Sequence, residues 1–137
     1  MRIIAWALVT GFGTVSALPA VRAGWADTPA GHAEIITVRL SNFAYDPDHL
    51  RLRANVPVRL RLVNDSSGRH DFSAPAFFAA STYPQGSSAP PDGDISVGSD
   101  ETVELAVVPR KPGSYPLRCT HFLHSLFGMH GTIEVTP

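Results

Sequence analysis

The sequence predicts an all-β domain, a Greek-key β-sandwich of seven to eight strands. Residues 49–53 (HLRLR) and 58–63 (VRLRLV) alternate apolar and polar side chains with a period of two. This alternation is typical of antiparallel strands that have one buried face and one wet face. Turn-forming residues such as Asp46-Pro47-Asp48 separate the strand-like runs, and no long helical pattern occurs. Together these observations favour two packed sheets.

The remaining strands are predicted from short β-branched or apolar runs. They cover residues 34–40, 95–97, 101–108, 115–119 and 131–135. Residues 74–94 lack strand signals, although APAFFAAS within them is compatible with one helical turn. A connection of this length is unusual in a compact domain, and such connections are often functional. It can equally serve only to carry the chain between the two sheets.

The N-terminus has the pattern of a secretory signal peptide. Met1-Arg2 gives a positive start, residues 3–20 are apolar or small, and cleavage is expected after Ala23 or Ala26. A membrane anchor is the alternative, but the segment is short and interrupted by Gly and Pro. We therefore expect a signal peptide at 1–23, a flexible lead at 24–33 and one domain at 34–137. The mature protein would be periplasmic or secreted, with no stable membrane span.

Composition excludes several function classes. The chain has 137 residues, 17% of them charged, and a formal net charge of −1 without a basic run. Removal of residues 1–23 leaves 9 basic and 12 acidic residues. Nucleic-acid binding is therefore not expected, and the length suits one domain.

Residues 119–131 (CTHFLHSLFGMHG) contain most of the candidate metal-ligating side chains of the sequence. They include the only cysteine, three of the six histidines and one of the two methionines. In an exported protein a single cysteine cannot form an internal disulfide, so it is buried and inert, paired between chains, or a metal ligand. Thiolate and thioether are soft ligands, and imidazole suits copper. Two imidazoles, one thiolate and a long axial thioether form a blue-copper electron-transfer site.

The spacing Cys-x4-His-x4-Met places three candidate ligands around one loop between two strand ends. Cys119 ends one strand, Met129 begins the next, and His124 lies between them. His70, which follows a strand and a polar loop, is the natural fourth ligand. His121 is two residues from Cys119, so an axial or substitute role for its imidazole stays open.

These two segments, LVNDSSGRHDF and YPLRCTHFLHSLFGMHGTIEV, resemble the two copper segments of the cupredoxin (blue copper protein) family. The resemblance covers residues 34–137 and is to single-domain members such as azurin, plastocyanin and rusticyanin. It implies a Greek-key sandwich that binds one copper ion, Cu(I) or Cu(II), and carries single electrons. By the same resemblance His70, Cys119 and His124 are the equatorial ligands and Met129 is the axial ligand.

Two features depart from the family pattern. Many cupredoxins have Asn or Ser after the first histidine ligand, whereas this chain has Asp71. The Cys-to-His loop is longer than in plastocyanin-like members and resembles that of azurin, rusticyanin and multicopper oxidases. Multicopper oxidases flank the cysteine with histidines, but here the flanks are Arg118 and Thr120. An enzymatic role is therefore not expected.

The sequence leaves two copper functions open. The first is an exported electron carrier, which a redox partner would meet near His124. Apolar residues surround that histidine and suit brief docking: Phe122, Leu123, Leu126 and Phe127. The second is a periplasmic copper chaperone or scavenger, suggested by His121 and His130 beside the site and by Asp71. Asn64 either ties the His70 loop to the site or merely ends a strand.

Overall fold

The computed structural model describes residues 33–121 and 129–137. Within them lie ten strands, one short helix and one 3-10 turn. The strands are β1 (Glu34–Ser41), β2 (Ala44–Asp46), β3 (His49–Arg53), β4 (Val58–Asn64), β5 (His70–Ser73), β6 (Ser81–Thr82), β7 (Asp94–Val97), β8 (Thr102–Pro109), β9 (Gly113–Arg118) and β10 (His130–Thr136). Helix α1 is Pro75–Ala79, and the 3-10 turn is Pro91–Gly93.

The predicted signal peptide, the lead up to residue 32 and the loop 122–128 lie outside the described residues. Across the two ranges that the structure describes, no helix is both long and apolar enough to cross a bilayer.

The strands form two five-stranded sheets, which confirms the predicted β-sandwich. One sheet has the order β2-β1-β4-β8-β6 and the other β3-β10-β9-β5-β7. The strand number exceeds the predicted seven to eight because β2 and β6 are only three and two residues long. Strand β5 was also not expected, because its sequence HDFS has no apolar alternation.

The sequence predicted antiparallel sheets, but two strand pairs are parallel. Strand β1 pairs with β4 in parallel, and β3 pairs with β10 in parallel. The reason is the path of the chain, which leaves the first sheet after β2, contributes β3 to the second sheet, and returns to the first as β4. Neighbouring strands joined by such a crossover run in the same direction.

The core consists of the inward side chains of both sheets. In β3, Leu50 and Leu52 are buried while the intervening residues are exposed, as the alternation predicted. Strand β4 buries Val58, Leu60 and Leu62 in the same way. Complete burial of each such side chain contributes about 1.5–3 kcal/mol to stability. Helix α1 adds an aromatic group, since Phe77 and Phe78 are buried and Phe78 lies beside Phe72 of β5 at a centroid distance of 6.2 Å.

Sheet topology brings the two copper-like segments to one end of the second sheet. Strand β9 ends and β10 begins at this end, because the two strands are antiparallel neighbours. Strand β5 is antiparallel to β9 through the Ser73–Arg118 pair, so its first residue, His70, lies at the same end. The predicted residues around Cys119 and His70 are thus brought together by strand order rather than by sequence proximity.

Strand β10 approaches β3 closely at Gly131. A Cβ atom at this glycine would lie 2.3 Å from the carbonyl oxygen of Asp48. The same oxygen accepts a hydrogen bond from the backbone N–H of Thr132 at 2.8 Å. Only glycine allows this approach without displacement of β3.

We predict that Gly131→Ala lowers the free energy of unfolding by about 2 kcal/mol or more, since the added methyl group meets backbone that cannot rotate away. Urea denaturation of the metal-free protein measures the loss. Gly68→Ala is the control, because the nearest heavy atom would be His70 Nε2 at 4.0 Å. An equal loss in both variants would show that the close approach is not what requires glycine at position 131.

Candidate metal centre

The structure buries three of the four predicted metal ligands completely. His70, Cys119 and Met129 are each 0% exposed. His70 is the first residue of β5, Cys119 directly follows β9, and Met129 directly precedes β10. The fourth, His124, lies outside the described residues, as do the four apolar residues around it.

Main-chain hydrogen bonds join the three segments. The backbone N–H of Cys119 donates to the carbonyl oxygen of Met129 at 3.1 Å, which extends the β9–β10 ladder by one pair. The backbone N–H of Asp71 donates to Cys119 Sγ at 3.4 Å. This hydrogen bond ties the Cys119 sulfur to strand β5.

Asn64 anchors the loop that leads to His70. Its side chain is 0% exposed, and Nδ2 donates to the carbonyl oxygens of Gly68 at 2.7 Å and Gly98 at 2.8 Å. Its Oδ1 accepts from Ser66, both from the backbone N–H at 3.0 Å and from the hydroxyl at 2.7 Å. Of the two roles that the sequence left open, the structure thus supports a tie between this loop and the neighbouring turn.

Ser66 was not singled out by the sequence. Its hydroxyl lies 2.8 Å from His70 Nε2 and also contacts Asn64 Oδ1. The hydroxyl can orient the imidazole of His70 so that Nδ1 is the ring nitrogen directed elsewhere. The only signal available in the sequence was the position of Ser66, four residues before the histidine in a polar loop.

Asp71 and Tyr45 form a second group of contacts beside the cysteine. Asp71 is 6% exposed, and its Oδ2 accepts a hydrogen bond from the Thr120 hydroxyl. The Tyr45 hydroxyl donates to the backbone carbonyl of Asp71. Burial, together with the negative charges of Cys119 and Asp71, raises the pKa of Tyr45 well above its ordinary value. The hydroxyl therefore keeps its proton and remains a donor.

Asp94 lies near this group on the neighbouring strand β7. Burial raises the pKa of its carboxyl group, and the charge of Asp71 adds to the increase. Two acidic side chains, Asp71 and Asp94, thus lie close to each other at this end of the sheet.

The donor set suits a soft metal ion. Within residues 33–121 and 129–137 no three His, Cys, Asp or Glu side chains converge on one point. The predicted set contains only two residues of those types in these ranges, His70 and Cys119, because its other described ligand is a methionine. One thiolate, one imidazole and one thioether, all removed from water at the same end of a rigid sheet, are the ligand types that copper prefers.

We predict that Asn64→Ala lowers the free energy of unfolding by about 2–4 kcal/mol, because several buried polar groups lose their hydrogen bonds together. Thermal and urea unfolding of the metal-free protein test this. Ser67→Ala, an exposed position in the same loop, serves as the control. A loss no greater than that of the control would mean that the amide does not anchor the loop.

We also predict that Tyr45→Phe keeps the fold but lowers the free energy of unfolding by about 1 kcal/mol, since the Asp71 carbonyl loses its hydrogen-bond donor. The amide proton of Asp71, which points at the sulfur, should then exchange faster with solvent. Hydrogen-exchange NMR measures this rate. In Tyr83→Phe a hydroxyl bond to Phe78 is lost instead, so the Asp71 amide should be unchanged; faster exchange in both variants would contradict a specific role for Tyr45.

Comparison with solved structures identifies proteins of the same fold. Auracyanin B is 27% identical and matches with a TM-score of 0.58 over 77% of this chain and 90% of its own. Auracyanin A from the green thermophilic photosynthetic bacterium Chloroflexus aurantiacus, described as a "blue" copper protein, is 21% identical with a TM-score of 0.56 over 77% of this chain and 100% of its own. The multicopper oxidase McoA from Aquifex aeolicus is 17% identical with a TM-score of 0.60, but the match covers only 30% of that chain.

No curated protein sequence matches this chain. The family model of the cupredoxin-like domain matches residues 3–135. Since this match spans nearly the whole sequence, and the sandwich and its buried Cys, His and Met agree with it, the protein belongs to the cupredoxin-like domain family.

Proposed function

We propose that this protein is an exported mononuclear copper protein that carries single electrons between redox partners. The copper ligands in this proposal are His70, Cys119, His124 and Met129, and the signal peptide is residues 1–23. The observation that carries the proposal is the buried placement of Cys119, Met129 and His70 at one end of the sheet, with a backbone N–H on the sulfur. The 27% identity to auracyanin B supports it.

Electron transfer is favoured when the ligands move little between the two oxidation states. Here Cys119 and Met129 lie at adjacent strand ends joined by a backbone hydrogen bond, and the His70 loop is anchored by the buried amide of Asn64. Close packing in the surrounding core restricts these side chains further. Bound copper would supply reversible one-electron chemistry at this position. The protein contributes fixed ligands and excludes water from the sulfur atoms.

An electron carrier also needs a surface where partners dock. We place that surface at the loop that contains His124, because His70, Cys119 and Met129 converge at the end of the sheet from which this loop extends. The apolar residues next to His124 in the sequence would suit a short-lived, small interface.

An oxidase function is disfavoured. Arg118 and Thr120 flank Cys119, and arginine and threonine side chains cannot pass electrons to a further copper cluster as flanking histidines do in multicopper oxidases. The match to McoA concerns 30% of that protein, so the likeness extends to one domain of it. The chain thus shares the sandwich but lacks these flanking histidines.

Copper handling is the second candidate, and one observation favours it. His121 is 44% exposed and lies beside the buried cysteine segment, where it could meet copper arriving from solution. A carrier would hold copper tightly and cycle reversibly, whereas a chaperone would release Cu(I) to a competing chelator. Voltammetry and competition with a Cu(I) chelator distinguish the two.

We predict that the mature protein titrated with Cu(II) develops an intense visible band at one equivalent, with narrow copper hyperfine splitting in the electron-spin-resonance spectrum. Cys119→Ser should abolish the band, because it arises from thiolate-to-copper charge transfer. Met129→Leu should keep the band and raise the reduction potential, since loss of a donor destabilises Cu(II) more than Cu(I).

The control for these variants is His49→Ala, which removes an exposed imidazole outside the proposed ligand set. Its spectrum should equal that of the unchanged protein. A visible band that survives in Cys119→Ser would refute the thiolate site. A pale spectrum in the unchanged protein would instead indicate that copper binds at histidines without the thiolate.

A further inference from the structure

Asp71 contacts three consecutive residues of the cysteine segment. Its backbone N–H donates to Cys119 Sγ at 3.4 Å, and its Oδ2 accepts a hydrogen bond from the Thr120 hydroxyl. The same oxygen lies 3.7 Å from His121 Nε2. Asp71 of β5 therefore contacts every residue from Cys119, the proposed metal-binding cysteine, to His121, the first histidine after it.

The carboxylate is suited to this position because it only accepts hydrogen bonds. A buried carboxylate is costly unless donors reach it, and the Asp71 side chain is 9% exposed. Thr120 donates a hydrogen bond to it and His121 Nε2 lies within ion-pair distance, so the burial of Asp71 favours the conformation in which both residues stay beside the carboxylate. Both contacts are made to the same oxygen, Oδ2, and only a carboxylate adds a negative charge that attracts the His121 ring when it is protonated.

His121 is the residue whose position this contact determines. Its imidazole is a good copper ligand and is only two residues from Cys119. At 44% exposure the ring is accessible from solution, and its Nε2 faces the carboxylate. A free His121 would compete with the proposed ligand His124 for the same metal.

We propose that Asp71 is a positioning residue that holds Thr120 and His121 on its carboxylate and so keeps His121 out of the metal's ligand set. This inference rests on the proposed function, because it assumes that the Cys119 group binds copper. Asp71 thereby decides which histidine of the segment is used. The departure from the Asn or Ser found in many relatives then matches the presence of a second histidine next to the cysteine.

The first test uses the metal-free protein. Asp71→Ala should increase the fast backbone motion of Thr120 and His121, measured as lower heteronuclear NOE values in NMR, because both residues lose their contact with the carboxylate. Asp100→Asn removes an exposed carboxylate from the turn that neighbours the Asn64 loop, and it should leave both residues unchanged. Unaltered NOE values in Asp71→Ala would overturn the positioning role whether or not copper binds.

The second test uses copper-loaded protein and a double substitution. Asp71→Ala should change the visible and electron-spin-resonance spectra, since His121 can then reach the metal. Adding His121→Ala should restore the original spectra, whereas adding His130→Ala should not. His121→Ala alone should leave the spectra unchanged.

The outcomes separate the inference from the proposed function. If the unchanged protein shows the thiolate signature but Asp71→Ala has identical spectra, or if His121→Ala fails to reverse the change, the inference is wrong and the function stands. If the unchanged protein shows no thiolate signature, the proposed function fails and the NMR test still decides the positioning role. If Asp71→Ala does not fold, the same pair of comparisons is made with Asp71→Leu, which fills the side-chain space without an acceptor.

Discussion

The hydrogen bond from the Cys119 N–H to the Met129 carbonyl is the interaction on which the site depends. It continues the β9–β10 ladder past the last regular pair, so the two sulfur-bearing residues face each other across adjacent chain segments. Their side chains consequently lie on the core-facing side of the sheet, as do those of Leu117 and Ile133, which are also buried. The nine residues between Cys119 and Met129 need not determine this arrangement, because the sheet already does.

Much of the fold and part of the site could be predicted from the sequence. The alternation of apolar and polar residues in β3 and β4 predicted which side chains face inward, because side chains in a strand alternate between the two faces of the sheet. The positions of Cys119 and Met129 at strand ends followed from the same pattern. Parallel pairing of β1 with β4 could not be predicted, because alternation describes the faces of a strand and carries no information about its neighbours.

The supporting contacts were least predictable. Ser66 contacts His70, and Asp71 contacts Thr120 and His121, through loop conformations and through a strand pairing between segments almost fifty residues apart. From the sequence, Asp71 could be recognised only as a departure from the Asn or Ser that many cupredoxins have at this position. Its contacts depend on how β5 lies beside β9, which the sequence HDFS does not indicate. The candidate ligand types could thus be predicted from the sequence, whereas the groups that contact them required the structure.

The parallel pairing of β3 with β10 has a consequence for the order of assembly. These strands are separated by about eighty residues along the chain, and Gly131 lets them approach closely. Contacts of such long range form late in folding, because the loop they close is costly in entropy. Cys119 directly follows β9 and Met129 directly precedes β10, so these two residues pair with the local β9–β10 hairpin, whereas the docking of that hairpin beside β3 comes later. A partly folded chain would therefore hold Cys119 and Met129 together on an unburied hairpin, and their exclusion from water would be a property of the completed sandwich.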